Sequence, residues 1–470
     1  MAQVDRLSNE VSVMVPTGML GSGFLLEHVQ YGIARGAQAI AVDSGSTDSG
    51  PAYLANAVSK MNRESIKRDL EILIREAYRA RIPLLVGTCG TSGTDAGVDW
   101  TRDIAIEIAN ELHIHPKIAC LYSEQKASNL IKKNEEGKIT PLPPLGPTTN
   151  ELILSCDHIV ALMGPEPYMA AIEAGGDIVL GGRTTDTAVL AAIPLFRGAG
   201  AGSAWHAAKV AECGGQCTTH PERSGVLMRV GTLSFDIEPL DVNNRCTPET
   251  VSAHMLYESH DPFLLTEPGG ILDVTDADYH QLDARVTRVT GSRWKPMPYT
   301  MKLEGARSGA FQTIMFIGIE DPEVLANLDE FHDKMHTLLI SRVRQTLGDQ
   351  AGDFNISLRV YGWNGTSGRP VPHGTPPPID VGILFVATAA SQELANKIAK
   401  TCNPYFFHMP LRAGTELPSY AFPFTPAEIP RGKVFEFVLN HVVHTDDAFE
   451  LVRTEWVDMA VANDKVMSHA

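Results

Sequence analysis

Short apolar runs alternate with small polar loops and amphipathic segments along the first half of the chain. VSVMV at 11–15 is followed by TGMLGSG, QAIAVD at 38–43 by SGSTDSG, and IPLLV at 82–86 by GTCGTSGTD. The segments between them have the apolar spacing of helices. Strands that are apolar throughout are typical of a parallel sheet covered on both faces. We therefore predict an α/β fold, a parallel sheet with flanking helices, doubly wound in preference to a barrel because the first half is short for eight units.

The later part of the chain has a different pattern. Residues 226–350 contain β-rich runs such as VLMRVGTLSFDI and TIMFIGI, which predict an α+β extension of the core. The stretch WNGTSGRPVPHGTPPP is dense in proline and glycine and predicts a linker or long loop. Strand, helix and strand patterns follow it and predict a small ferredoxin-like α+β domain. The predicted domains are therefore 1–225, 226–350 and 351–470.

Composition narrows the classes of function. The chain has 470 residues and a formal net charge of −17, which argues against binding to nucleic acid phosphates. Its seven cysteines are odd in number and scattered, and MAQVDRLSNEV lacks the pattern of a signal peptide. No apolar run approaches the roughly 20 residues of a membrane span. We expect a reduced, cytoplasmic protein without membrane contact, and a homo-oligomer, as is common for large α/β enzymes.

The polar loops leave the carboxyl ends of the predicted strands. Parallel strands bring such loops to one edge of the sheet, where ligands bind. Glycine-rich turns there supply backbone N–H groups to anions, and Arg183 is suited to pairing with a carboxylate or phosphate. Neither a GxGxxG nor a P-loop pattern occurs, so we expect a small anionic substrate and no nucleotide cofactor. The candidate substrate-binding residues are Ser22, Gly23, Ser46, Thr91, Ser92, Arg183, Thr184, Thr185 and Asp186.

Four residues at this edge are candidates for catalysis: Asp43, Asp48, Cys89 and Asp95. The aspartates are candidates for general bases or for ligands of Mg²⁺ or Mn²⁺, although aspartate is also a common turn residue. Cys89 is a candidate nucleophile or proton-transfer base, and equally a small buried apolar side chain. The cofactor is therefore left open, with a divalent metal as one option and no metal ligand assigned.

Two further patterns carry weaker signals. Cys213, Cys217 and His220 form C-x3-C-x2-H, but the paired knuckles of a zinc site are missing and a helix end is the favoured interpretation. His254 and Glu258 are four residues apart, so they share a helix face. They are either acid–base groups or the end of a helix before a proline, and we favour the second.

The segments GGDIVLGGRTTDTAVL, WHAAKVAECGGQ, ETVSAHMLYESHDP and FPFTPAEIPRGKVFEFVLNHVV resemble the acyclic terpene utilisation AtuA family. The resemblance covers roughly 10–345 for a main domain and 355–445 for a ferredoxin-like domain. It implies a role in the catabolism of branched or unusual carboxylic acids and their CoA esters, and pairing with a small partner protein. It supplies no reaction and no catalytic residues.

These observations favour a cytosolic enzyme that acts on a small carboxylate or its CoA thioester. The expected chemistry is proton abstraction next to a carbonyl, by a hydratase or other lyase, or by an isomerase. One alternative is a hydrolase that uses Cys89 or a metal-bound water. Another is a non-catalytic, ligand-binding subunit of an enzyme complex.

Overall fold

The structure of the protein is a computed structural model that describes residues 10–257, 260–414 and 417–459. The described residues up to Arg307, together with those from Phe437 onwards, form one compact unit, here unit 1. Ser308–Glu436 form a second, unit 2. The predicted domain boundaries after residues 225 and 350 stay predictions.

The helices and strands occur in the following places. The helices are α1 (Leu26–Ala34), α2 (Pro51–Asn56), α3 (Arg63–Ala80), α4 (Asp95–Glu111), α5 (Ala127–Glu135), α6 (Asn150–Leu154), α7 (Glu166–Glu173), α8 (Asp186–Phe196), α9 (Ala201–Ala211), α10 (Pro248–His254), α11 (Pro322–Leu325), α12 (Leu328–Leu347) and α13 (Gln392–His408). The strands are β1 (Val11–Val15), β2 (Ala39–Asp43), β3 (Leu84–Gly87), β4 (Lys117–Tyr122), β5 (Ile139–Pro141), β6 (His158–Ala161), β7 (Ile178–Gly181), β8 (Val226–Val230), β9 (Ser234–Pro239), β10 (Leu264–Glu267), β11 (Gly270–Asp273), β12 (Asp278–Gln281), β13 (Thr287–Thr290), β14 (Arg293–Pro296), β15 (Thr300–Ile319), β16 (Phe354–Tyr361), β17 (Val381–Ala389), β18 (Tyr420–Ala421), β19 (Ile429–His444) and β20 (Arg453–Asp458). Among the helices described, none has the length and apolar character needed to cross a lipid bilayer.

Unit 1 is built on a ten-stranded sheet in the order β12-β13-β9-β8-β1-β2-β3-β7-β4-β20. Its centre, β1-β2-β3-β7-β4, is parallel. The strands on either side, from β8 to β12 and β20, pair antiparallel. The α/β class and the central parallel strands are therefore confirmed. The sheet as a whole is mixed, and among the described residues it does not close into a barrel. The doubly wound topology stays a prediction.

Successive residues of the central strands belong to different hydrophobic cores. Val13 and Leu85 pack into the core that contains helices α8 and α9, whereas Met14 and Leu84 pack into the core that contains α3 and α4. Side chains along a strand point alternately to the two faces of a sheet, so apolar residues at every position require a helical layer on each face. The apolar runs in the sequence are continuous because both faces of these strands are covered by helices.

Unit 2 has an antiparallel sheet covered by two helices. The part of β15 that begins at Phe311 pairs with β17, and β17 pairs with β16. Helices α12 and α13 contribute Phe331 and Phe406 to a core that also contains Phe385 of β17. The order of elements is strand, helices, two strands and helix, and the ferredoxin-like topology predicted for the end of the chain stays a prediction.

The central strands predict a large difference between two leucine truncations in unit 1. Leu85 is fully buried, whereas Leu233 is 80% exposed. Leu85→Ala should lower the free energy of unfolding by about 2–5 kcal/mol, because it leaves a cavity in the core. Leu233→Ala should change it by less than about 0.5 kcal/mol. Equal effects would contradict the described position of β3.

Urea denaturation followed by tryptophan fluorescence measures this difference. Trp363 is the tryptophan of the 308–436 segment, and the other four lie outside that segment. Both alanine variants should therefore be made in a Trp363→Phe background, so that the signal reports on unit 1 alone.

Candidate active site at the carboxyl ends of the parallel strands

Two cavities open at the carboxyl ends of the central strands. The first has a volume of about 660 Å³ and is lined by the loops that follow β1 and β2 and by the turn that follows α9. The second has a volume of about 570 Å³ and is lined by the loop that follows β7, by β10 and by the start of β15. Asp186 and Glu212 line both cavities, so these two carboxylates lie where the cavities meet.

Asp43 is the last residue of β2 and lines the first cavity. Its side chain is almost fully buried, and Oδ2 accepts the N–H of Gly45 at 3.0 Å. Oδ1 has no hydrogen-bond partner among the described residues. Burial raises the pKa of Asp43 well above its usual value, and the negative charge of Asp186 raises it further. Asp43 is therefore a carboxyl group that retains its proton to a higher pH than an exposed aspartate.

Arg183 forms a buried ion-pair network directly after β7. Its Nε donates to Glu304 Oε2 at 3.0 Å, and its Nη1 donates to Asp186 Oδ1 at 3.1 Å. Thr47 Oγ1 also donates to Glu304 Oε2, at 2.7 Å, and Lys302 Nζ donates to Oε1, at 2.8 Å. Although burial alone raises the pKa of Glu304, the charges of Arg183 and Lys302 lower it to about 2. Glu304 is thus an ionised anchor for the arginine.

A second charged group lies at the end of α9. Lys209 Nζ donates to Glu212 Oε1, and both side chains are buried. Glu267, on β10, accepts the hydroxyl of Thr187 through Oε1 at 2.7 Å, whereas its Oε2 has no partner among the described residues. Burial raises the pKa of Glu267 to about 7. Burial also lowers the pKa of His254 to about 4, and the charge of Lys209 acts in the same direction.

Most of the predicted substrate-binding residues outside the 87–97 loop line a cavity. Those that line the first cavity are Ser22, Gly23, Ser46 and Asp186, and the catalytic candidate Asp48 lines it as well. Those that line the second are Arg183, Thr185 and again Asp186. Thr184 lies below the surface, where its hydroxyl contacts the hydroxyl of Tyr168 at 2.8 Å.

The glycine-rich loop of residues 87–97 lies beneath the cavities and does not line either one. Cys89, Thr91 and Ser92 are fully buried. Gly93 has φ +66°, and a Cβ there would lie 2.1 Å from the backbone nitrogen of Arg183. The small residues of this loop are needed because the backbones of neighbouring loops approach closely. Burial raises the pKa of the Cys89 thiol, which disfavours the thiolate that a nucleophile requires.

The two remaining aspartates differ in surroundings. Asp95 is the first residue of α4, does not line either cavity, and pairs through Oδ2 with Arg453 Nη2 at 3.1 Å. Asp48 is exposed at the mouth of the first cavity and accepts the hydroxyl of Ser46. Asp43 is thus the most deeply buried of the three candidate aspartates.

The fold places the residues of the two weaker sequence patterns in different surroundings. Cys213 lines the first cavity, and Cys217 is buried. The side chain of His220 is about half exposed and lies near Glu222. His254 ends α10 and is buried, whereas Glu258 lies outside the described residues.

The charged residues of the site that sequence reasoning missed include Lys209, Glu212, Glu267, Lys302 and Glu304. Lys209 and Glu212 lie within WHAAKVAEC, at the end of a mostly apolar helix in which residues 202–211 are all buried. Charged residues inside an apolar helical run are a signal of buried, paired charge, and this signal could have identified them. Glu304 stands in a β-rich run, and no local pattern marks it as the partner of Arg183.

Fold and cavities together define a mixed α/β protein with an acidic site at the carboxyl ends of its parallel strands. The family model described as acyclic terpene utilisation family protein AtuA matches residues 52–221 and 234–438. The chain therefore belongs to the AtuA family, as its motifs predicted. Comparison with curated proteins gave no match, and comparison with solved structures also gave none.

Replacement of a buried glutamate by glutamine should affect stability in opposite directions at Glu267 and at Glu304. Glu267 has a folded-state pKa raised to about 7, so its ionisation costs stability increasingly as the pH rises from about 4.5 to 7. Glu267→Gln removes this cost. The free energy of unfolding of the variant minus that of wild type should therefore be larger at pH 8 than at pH 5, by roughly 2 kcal/mol.

Glu304 has a folded-state pKa lowered to about 2, so its ionisation stabilises the fold above about pH 4.5 and that contribution is lost as the pH falls. Glu304→Gln should therefore destabilise unit 1 at pH 8, by about 3–5 kcal/mol for a broken buried pair. Urea unfolding of both variants at pH 5 and pH 8 measures the two effects. A loss of stability at pH 8 in Glu267→Gln would contradict the described environment.

Proposed function

We propose that the protein is a hydratase or related lyase that acts on a small carboxylic acid or its CoA thioester. The observation that carries this proposal is the pair of Asp43 and Asp186 at the first cavity. Asp43 is buried with one carboxyl oxygen unpartnered among the described residues, and Asp186 is ion-paired with Arg183. Two carboxyl groups with different surroundings are suited to act as acid and base in one site.

Cations and apolar side chains in the second cavity support an acidic substrate with a hydrocarbon part. Arg183, Lys209 and Lys302 line this cavity. Nη2 of Arg183 has no hydrogen-bond partner among the described residues, and it is a donor suited to a substrate carboxylate or thioester oxygen. The apolar lining is suited to a branched acyl chain and includes Leu162, Leu264, Leu265, Pro268 and Val442.

In the proposed reaction Asp186 removes the proton on the carbon next to the carbonyl. The electron pair of that C–H bond forms the carbon–carbon double bond, and the bond from the β-carbon to the hydroxyl breaks. Asp43 donates its proton to the departing hydroxyl, which leaves as water. Hydration is the reverse sequence, with Asp43 as base toward water and Asp186 as acid toward carbon. Isomerase chemistry uses the same proton abstraction and returns the proton to a different carbon.

Cys89 has no part in this proposal because its thiol is buried beneath the cavities. The alternative of a non-catalytic subunit predicts binding without turnover, so a reaction assay separates it from the lyase. Cytoplasmic location, homo-oligomer formation and pairing with a small partner protein stay predictions from the sequence and the family resemblance.

The test is proton exchange in D₂O, followed by ¹H NMR. The purified full-length protein is incubated with 3-hydroxyacyl-CoAs, 2-enoyl-CoAs, and short di- and hydroxycarboxylates. Wild type should exchange the proton next to the carbonyl, or interconvert hydroxy and unsaturated compounds, for at least one class. Asp186→Asn should abolish the exchange, and Asp43→Asn should lower the rate of water loss by about 10²–10⁴-fold.

Asp48→Asn is the matched control because Asp48 lies in the loop after Asp43 and lines the same cavity, but is exposed. It should change the rate by less than about tenfold. Proton exchange at the wild-type rate in Asp186→Asn would refute the assignment of the base, and water loss at the wild-type rate in Asp43→Asn would refute the assignment of the acid. Binding of one compound class without any turnover would instead favour the ligand-binding subunit.

A further inference from the structure

Three side chains with metal-binding atoms meet at the wall of the first cavity. The carboxylate of Glu212, the thiol of Cys213 and the imidazole of His254 each place a donor atom within 4.8 Å of the others. Nε2 of His254 is 3.9 Å from Oε1 of Glu212. Metal–ligand bonds of about 2.0–2.3 Å separate the donor atoms of a tetrahedral site by roughly 3.3–3.8 Å. Small rotations of these side chains would therefore close the triad around one ion.

The imidazole of His254 is oriented into this cluster without a partner. The residue is 5% exposed, and Nε2 has no hydrogen-bond partner among the described residues. A buried polar nitrogen without a hydrogen-bond partner destabilises the fold and is rare in proteins, so this Nε2 indicates a ligand that the described residues do not supply. The ring of Tyr257 stacks on the imidazole with centroids 5.6 Å apart, which restricts its orientation.

The backbone holds the triad in place from two directions. Helix α9 ends at Ala211, and Glu212 and Cys213 follow it directly. Gly214 has φ +61°, and a Cβ there would lie 2.5 Å from the backbone nitrogen of Gly18. This contact between two backbones fixes the turn after Cys213 against the loop that follows β1.

His254 reaches the triad from the end of α10. That helix begins with a capping box, in which Thr247 and Thr250 bond each other's backbone N–H groups. It packs against α9 and against the turn Gly214–Cys217. The positions of all three donor groups are thus set by regular elements and short turns.

We propose that Glu212, Cys213 and His254 bind a single divalent transition-metal ion at the wall of the first cavity. A donor set of one nitrogen, one sulfur and one oxygen suits Zn²⁺ or a similar ion, and not Mg²⁺ or Ca²⁺, which take oxygen ligands. Three protein ligands leave a fourth position open, as in catalytic zinc sites. Glu212 and Cys213 line the first cavity, so a substrate bound in that cavity would be close to the metal.

Carboxylates outnumber basic residues around the triad, and the ammonium group of Lys209 also lies against Glu212. The carboxylates that line the first cavity are Asp43, Asp48, Asp186, Glu212 and Glu222, and Arg223 is the basic residue among the described lining residues. Lys209 donates to Oε1 of Glu212 and acts as a positioning residue that orients the carboxylate. A bound metal would also give an anionic substrate a positive contact in an otherwise acidic cavity.

Metal binding by the triad does not depend on the proposed reaction. A role for the metal in holding the carbonyl oxygen of the substrate does rest on that reaction. A Lewis acid at this oxygen would stabilise the enolate that forms on proton removal. Metal binding and proton exchange are therefore measured separately, so that each can fail without the other.

The experiment is a titration of the metal-free, full-length protein with Co²⁺, followed by absorption spectroscopy. Co²⁺ commonly replaces Zn²⁺, and a cobalt–thiolate bond gives a charge-transfer band in the near ultraviolet. We expect this band to saturate at one Co²⁺ per chain, and Zn²⁺ to displace it. Cys213→Ser should remove the band, and His254→Gln should weaken Co²⁺ binding by about 100-fold or more, because loss of an outer partner alone costs 10–100-fold.

Cys156→Ser and His280→Ala are the matched controls, since both residues belong to unit 1 and neither lines the two cavities. Both variants should retain the spectrum of wild type. Wild type without a cobalt–thiolate band, or Cys213→Ser with an unchanged band, would overturn the proposal. The wild-type titration is decisive by itself if a triad variant fails to fold. Proton exchange at an unchanged rate in metal-free protein would leave the site as a binding site and exclude the Lewis-acid role.

Discussion

The site depends on one buried guanidinium. An arginine removed from water is costly unless its charge is paired and its donors are bonded. Arg183 meets this requirement through Glu304 on one side and Asp186 on the other. Because Glu304 also accepts the hydroxyl of Thr47, the same network joins β15, the loop after β2 and the loop after β7. The position of Asp186 beside the cavities follows from this arrangement.

An acidic cavity in a protein with net charge −17 is an unusual place for an anionic substrate. Long-range attraction cannot bring an anion to such a surface, so affinity must come from short-range contacts. The second cavity offers three cationic side chains, and the proposed metal offers a further positive charge in the first. Asp186 and Glu212, which line both cavities, mark the point at which a substrate bound in the second cavity would meet the acid–base groups of the first.

The glycine-rich loop after β3 shows how a pattern that is typical of ligand binding can have a structural cause. Thr91 has φ +76°, a conformation that is costly for a β-branched residue. Its hydroxyl accepts the N–H of Lys60 at 3.0 Å, and the side chain is fully buried. Tight packing beneath the cavities therefore holds the loop in a strained form, and the loop in turn supports the backbone of Arg183.

The sequence by itself determined the class of fold, the central parallel strands and the family. It also indicated the sheet edge at which Asp43, Asp48, Arg183 and Asp186 lie by a cavity. These features follow from short-range patterns, since apolar alternation and turn residues depend on neighbours in the chain. Only the tertiary structure decided that Thr91 and Ser92 are buried, that Arg183 pairs with a glutamate 121 residues away, and that His254 meets Glu212 and Cys213. Burial and ion pairing depend on residues far apart in sequence, so no local pattern contains them.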